Sequence, residues 1–313
     1  MALTLVEGEL YSTTDMLSRT VIDRLVKEDP ILTRLGFETL LGNSDTYDTV
    51  TTRSTGVAFR AVGDTWTEST PTLSQNTVTL KVLGGDADID NFLLETRSNK
   101  LDLKGTVLND RTLAVKEYFL DSFYYGTTFD ATSFSGLHQL MTSTTYNTVH
   151  EGSSSTESLL NISNLRAAID LVTGFQPQII VMSKKMRRYL ATYFDSVGDK
   201  MPGVIDSFGK MVPAFDGIPI DVSDHISDAE TVSSSAFAAR TGGGATSIFI
   251  LTFAPDAVCG VQGSSGLKVV PLGDLETKDA QRFRIKWYCG LKFKNLRSSA
   301  KIDGVDVDGT VAA

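Results

Sequence analysis

Between Asp48 and Val82 the chain carries too little apolar material to fold alone, and this stretch constrains the architecture more than any other. Threonine is abundant there and apolar residues are sparse. Short alternations place Val57, Phe59 and Ala61 on one side, then Val78, Leu80 and Val82. Threonine and valine favour strands, and Gly63-Asp64 with Pro71 supplies turns, so the composition predicts a long two-stranded excursion. An isolated hairpin is marginal in water. Such an arm persists when something else covers it, and this is the first sign of assembly. Trp66 reads either as a local staple for the hairpin or as an anchor on another subunit. Aromatics in an arm without a core are favoured interface anchors, and the second reading is preferred.

The residues before the arm repeat the theme. Asp15 to Glu28 predicts a helix with Leu17, Val21 and Leu25 on one side, stopped by Asp29-Pro30. Nothing adjacent in sequence covers that stripe, which is expected to pack on another chain. After the arm, Glu95 to Tyr125 predicts the longest helix: Leu94, Leu101, Leu108 and Val115 recur seven apart, and Phe119 and Phe123 continue the stripe. Gly126 is its expected stop. Thr142 to Ser158 reads as a surface loop, and an α/β pattern follows. Ser163 is the expected cap of a helix that ends at Gly174. Ile179 to Met182 is a buried strand, and Ser183 caps a helix over Lys184–Asp195. Ile218 to Val222 and Ile248 to Phe253 are further strands, and Arg240 to Thr246 is a glycine-rich loop.

The cleanest strand comes near the end. Phe283, Ile285, Trp287, Cys289, Leu291 and Phe293 are apolar, while Arg282, Arg284, Lys286, Lys292 and Lys294 form a basic face. Those cations read either as a nucleic-acid contact or as partners of acidic groups on neighbouring strands or subunits, and pairing is favoured. The polar segment after Lys301 is expected to fray as a flexible tail.

Composition narrows the function. The 313 residues carry a formal charge of −9, unlike a dedicated DNA-binding module, which clusters Lys and Arg, though compatible with enclosing nucleic acid. Two cysteines, Cys259 and Cys289, form neither a disulfide framework nor a zinc pattern and read as small buried side chains. The start Met1-Ala2-Leu3-Thr4 has no basic, apolar leader, and no apolar run is long enough to cross a bilayer, so folding in a cytoplasm is expected. Asp86, Asp88 and Asp90 invite a calcium loop, but its sixth and twelfth positions hold Asn91 and Arg97 where glycine and glutamate belong. Gly242-Gly243-Gly244 lacks the lysine of a phosphate loop. His138, His150 and His225 stand apart from one another and from both cysteines. No catalytic residue, cofactor or metal is assigned, and the chain is read as a non-enzyme.

The order of elements then becomes informative. An N-terminal arm, an extended β excursion, a long helix, an α/β region and a final long strand resemble the Hong Kong 97-type capsid subunit of tailed bacteriophages. Local text agrees: Phe59-Arg60-Ala61-Val62-Gly63-Asp64-Thr65-Trp66-Thr67-Glu68-Ser69 resembles the family's E-loop with its aromatic-x-Glu centre. Glu117 to Gly126 with Phe134-Ser135-Gly136-Leu137 resembles the end of its spine helix. Pro177 to Ser183 and Phe215-Asp216-Gly217-Ile218-Pro219-Ile220 resemble its A-domain strands.

The resemblance implies an α+β fold with an N-arm (1–47), an E-loop (48–82), a P-domain with spine helix (83–150), an A-domain (151–264), a return to the P-domain (265–300) and a tail (301–313). It also implies a major capsid protein in a virion. Many copies would form hexamers and pentamers around double-stranded DNA, with scaffolding, portal and decoration proteins as partners and no membrane. Phe59, Arg60, Trp66 and Glu68 of the E-loop, with Leu17, Val21 and Leu25 of the N-arm, would then touch neighbouring subunits. Some relatives crosslink an E-loop lysine to a P-domain asparagine. Residues 51–80 contain no lysine, so no such crosslink is expected. The arm begins close to Met1, which implies either a separate scaffold or a propeptide absent from this chain. Encapsulins, compartment shells that enclose cargo enzymes, share the fold and are the nearest alternative. A monomeric α/β enzyme with an unrecognised site is the remaining one.

Overall fold

A computed structural model of the chain describes residues 31–97, 103–151, 157–198, 201–205, 211–233 and 236–308. The predicted helix bearing Leu17, Val21 and Leu25 lies outside the described residues. In chain order the helices are α1 (Ile31–Arg34), α2 (Asn91–Arg97), α3 (Leu103–Tyr125), α4 (Leu137–Leu140), α5 (Ile162–Leu171) and α6 (Lys184–Val197). The strands are β1 (Phe37–Leu40), β2 (Ser44–Thr52), β3 (Thr72–Thr79), β4 (Lys81–Asp90), β5 (Thr148–His150), β6 (Ile179–Met182), β7 (Gly203–Ile205), β8 (Met211–Phe215), β9 (Ile218–Val222), β10 (Thr231–Ser233), β11 (Ala236–Ala239), β12 (Ala245–Leu251), β13 (Val258–Gly263), β14 (Lys268–Asp274), β15 (Ala280–Phe293) and β16 (Ala300–Asp306).

Two sheets organise the body. In the first, β15 is the spine: β4 pairs with Ala280–Cys289 along one edge, and β14 and β13 share the other, with β1 parallel to β13. The alternation read from sequence settles its faces. Ile285, Trp287, Cys289, Leu291 and Phe293 point into a core that they share with Val115, Phe119, Leu120 and Phe123 of α3. Phe119 packs against Trp287 in a tilted pair with ring centroids 4.5 Å apart.

The second sheet runs β5-β16-β12-β6-β9-β8-β7, and its central strands β16, β12 and β6 are buried on both faces. Ile179, Val181, Phe249 and Leu251 face the core just described. Ile180, Met182, Ile248 and Ile250 face a second core closed by α5 and α6. Continuous apolar runs are what two covered faces demand, since side chains alternate along a strand. Ser183 caps α6 as expected, its Oγ accepting from the Met186 amide at 3.2 Å, and Gly198 ends the helix at φ 82°. Gly126 follows α3 at φ 53°, and a Cβ there would lie 2.0 Å from the Gly136 nitrogen, so only glycine fits.

Several expectations need correction. The helix foreseen over 95–125 is two elements, α2 and α3, and Leu101 lies outside the described residues. Asn161, not Ser163, caps α5: its side chain accepts from the Ser163 amide at 2.8 Å. The loop foreseen over 142–158 contains β5, and β12 begins inside the segment assigned to the glycine loop. The largest correction is the tail. Residues 300–306 form β16, wedged between β5 and β12, and Lys301, Asp303, Val305 and Val307 are all buried. Its charges are tolerated because they pair: Lys301 Nζ lies 3.0 Å from Asp303, which also bonds the His150 ring. β13 pairs with β15 in the first sheet.

Candidate assembly interface

A two-stranded arm leaves the body and stays uncovered, but its strands are not the alternations that announced it: Val57, Phe59 and Ala61 lie in no strand, and Val82 belongs to β4. β2 and β3 pair antiparallel from Ser44↔Thr79 to Thr52↔Thr72. Along both strands only Thr49 and Val78 are buried. Where the strands end, residues 53–71 are tied by side chains. Trp66 Nε1 donates to the Ala58 carbonyl at 2.9 Å, the Arg60 guanidinium lies 4.4 Å above the indole ring, and Arg60 also donates to the Asp64 carbonyl at 2.6 Å. The indole is therefore a local staple, yet it remains 63% exposed, so the contact with Arg60 leaves most of it free for a partner. Phe59 and Val62 are fully exposed, Val57 nearly so, and Glu68 is exposed too. Four large apolar side chains on one short exposed loop form the kind of patch that marks an interaction surface.

The root of the arm is fixed by charge. Lys292 on β15 is buried, and its ammonium bonds Asp45 of β2, lies 3.3 Å from Glu38 of β1 and sits 5.4 Å over the Tyr47 ring. The hydrogen bond from Lys292 holds the Asp45 carboxyl below the usual carboxylate range. Lys294 supports the same corner at 3.5 Å from Glu38.

The two arginines of the basic face find their partners in the aspartate run. Arg282 grips Asp88 through two bonds of 2.6 and 2.7 Å, and Arg284 grips Asp86 at 2.7 and 2.8 Å. Each pair is directly opposed in the β4–β15 register. Those guanidinium bonds lower both aspartate pKa values. Asp90 turns instead to the start of α2, accepting from the Phe92 amide at 2.9 Å. Lys286 makes no ion pair with another described residue and lies 5.9 Å from the Tyr288 ring. The three aspartates are thus committed to arginines and a helix end, and among the described residues no group of three His, Cys, Asp or Glu is placed to hold a metal.

Sequence reasoning missed a buried polar cluster where the two sheets meet. Tyr125 at the end of α3 donates to Glu230 at 2.6 Å, Ser247 donates to the same carboxylate at 2.5 Å, and His138 lies 3.5 Å from it. His138 is in turn 3.5 Å from Lys301. Burial lowers the His138 pKa, while burial together with Glu230 pushes the Tyr125 phenol well above its ordinary value. All these side chains are buried, so they clamp α3 and α4 to β12 and β16 and offer no open face to a substrate. No local motif announces such a cluster, because its members come from five separate segments.

No family model matches the sequence, and no curated protein matches it. Solved structures do. The encapsulin of the holo-SrpI complex from Synechococcus elongatus PCC 7942 superposes with a TM-score of 0.67 at 16% identity, covering 100% of this chain and 99% of that one. The capsid protein of the native GTA particle gives 0.63 at 12% identity, covering 88% and 89%. The capsid protein of Myoviridae phage XM1 gives 0.57 at 15% identity, covering 89% and 92%. At these identities the likeness establishes the fold. The chain has the α+β Hong Kong 97-type fold that phage capsid proteins and encapsulins share.

Proposed function

We propose that this chain is a shell subunit, the major capsid protein of a tailed bacteriophage, and acts as a structural protein without catalytic activity. The observation that carries the reading is the arm: a stapled, largely exposed extension within a fold whose solved examples include capsid subunits. On this reading β2, β3 and residues 53–71 are the E-loop, the first sheet with α3 is the P-domain, and the second sheet with α5 and α6 is the A-domain. Phe59, Arg60, Trp66 and Glu68 lie across a neighbour, and Leu17, Val21 and Leu25 of the N-arm pack on another copy. Head-to-tail contacts of one arm on the next subunit are heterologous and close into rings, here hexamers and pentamers. Such a shell would surround double-stranded DNA without reading its sequence, assembled in a bacterial cytoplasm with scaffolding, portal and decoration proteins. The net charge of −9 suits containment of an anionic polymer better than adhesion to it.

A second reading, an encapsulin-like compartment, is favoured by one observation: the Synechococcus elongatus encapsulin matches this chain end to end. Negative-stain microscopy with light scattering on the same purified sample tests both. Rings or closed shells support a shell subunit, nucleic acid inside them selects the phage reading, and protein cargo selects the compartment. A monodisperse particle of subunit mass at every concentration, with or without scaffold, refutes both.

A further inference from the structure

The first sheet sets two lysines against each other. Lys268 on β14 stands directly across from Lys286 on β15, and neither makes an ion pair with a described residue. Side chains so opposed share a face with Cβ atoms about 5 Å apart, and like charges there destabilise the ladder. The rest of that face offers no relief. On the β4 side Lys286 and Tyr288 are opposed by Gly84 and Val82, which carry no charge. Asp86 and Asp88, further along, are held by Arg284 and Arg282. Glu38 and Asp45 are taken by Lys292 and Lys294. In a chain of net charge −9, these two ammonium groups face each other without a carboxylate.

Hydrogen-bond donors gather beside them. Gly263-Ser264-Ser265-Gly266 turns the chain from β13 towards β14, closed by the Gly266 amide donating to the Gly263 carbonyl at 3.0 Å, with Gly266 at φ 56°. The turn packs on Tyr288: a Cβ at Gly263 would lie 3.3 Å from the Tyr288 Cβ. The Lys286 ammonium lies 5.9 Å from the Tyr288 ring. Ser264 and Ser265 are exposed, and neither their hydroxyls nor the Tyr288 phenol bonds a described residue. The Ser265 and Leu267 amides likewise find no carbonyl among the described residues.

We propose that this corner binds a phosphate-type oxyanion between Lys268 and Lys286, with Tyr288 and the Ser264-Ser265 turn as further donors. The site is independent of the shell reading. Charge selects an anion, because an anion placed between the two lysines turns their repulsion into a shared attraction. Chemistry selects phosphate: lysine meets phosphate as a point charge, whereas a planar carboxylate is matched by the fork of arginine. A turn with free amides is the kind of concavity that holds such oxyanions. A free phosphate ion and a nucleic-acid backbone present the same chemistry to it.

Inorganic phosphate and a labelled random-sequence DNA duplex, each titrated with the full chain, separate the two sources. Phosphorus NMR line width at constant ionic strength follows the first, and fluorescence anisotropy the second. Lys268→Gln and Lys286→Gln should each weaken binding about tenfold. Lys278→Gln loses the same charge from an exposed position between β14 and β15 and should leave binding unchanged. In phosphate-free buffer both opposed-lysine variants should unfold at the same denaturant concentration as wild type or higher, because the facing charges are relieved. Saturable phosphate binding without duplex binding assigns the free ion. Duplex binding whose salt slope drops by about one for each lysine removed assigns a nucleic-acid backbone. Neither probe bound, or binding that Lys278→Gln weakens as much as the opposed-lysine variants, overturns the site. Either result leaves the shell reading to its own test by microscopy.

Discussion

The second sheet and the arm are built from the same kind of strand and stabilised in opposite ways. In β6 and β12 every side chain is buried, odd and even positions feeding separate cores. In β2 and β3 the backbone pairs from end to end apart from a bulge at Thr51, yet two side chains in all are buried. A strand pair needs an apolar face covered by something to be stable on its own. The body supplies that cover from within. The arm is held at its root by Lys292, at its far end by the Trp66 staple, and otherwise presents its surface outward. Stability resides in the body, while the arm leaves its apolar side chains in solvent.

Substitutions in the body should therefore act on unfolding, and those in the arm on assembly. Phe249→Ala removes a ring shared by the first core and the buried cluster and should cost about 3–5 kcal/mol in denaturant unfolding of dissociated subunits. A loss below about 1 kcal/mol would break the contrast. Lys301→Met leaves Asp303 buried without its lysine cation and should cost about 3 kcal/mol. Burial works to raise the Asp303 pKa, but the His150 bond and the Lys301 charge outweigh it and the net shift is downward. Its contribution is thus present above the ordinary carboxylate range and disappears as pH falls through that range towards the lower folded value. Asp303→Asn should flatten this acid limb in a pH series of unfolding free energies.

Lys292→Met should cost about 1–2 kcal/mol and speed amide exchange in β2 and β3 while leaving β6 and β12 protected. Uniform exchange across both regions would show that the root is no separate unit. Trp66→Ala should change subunit stability by less than about 0.5 kcal/mol yet weaken assembly. A large loss of stability there would place the arm inside the cooperative core. No covalent ladder should appear on a denaturing gel of assembled shells, as residues 51–80 contain no lysine.

What the sequence revealed follows the same division. β15 was legible because six apolar residues occupy alternate positions on it, and α6 because Ser183 marks its start, while Gly198, which ends it, was not read from the sequence. The arm was legible from what it lacks. β16 was not: Lys301 and Asp303 read as solvent-seeking until His150, far away in sequence, is brought beside them, and Gly304 at φ 74° reads as a turn when it marks a register shift within the ladder. The basic face was visible, and its alternating partners could be matched only once β4 and β15 were known to run antiparallel in that register.

Only Leu80 separates β3 from β4, so the arm is mechanically continuous with a ten-pair ladder along β15. A pull on the arm, transmitted along β4, runs parallel to the strand and across the inter-strand hydrogen bonds. It loads all of those bonds together and does not peel them one by one. The Arg282–Asp88 and Arg284–Asp86 forks lie within that loaded stretch as cross-ties. Tension from a neighbour gripping the loop would be carried in shear into the long central strand of the body, the geometry in which a β ladder is strongest.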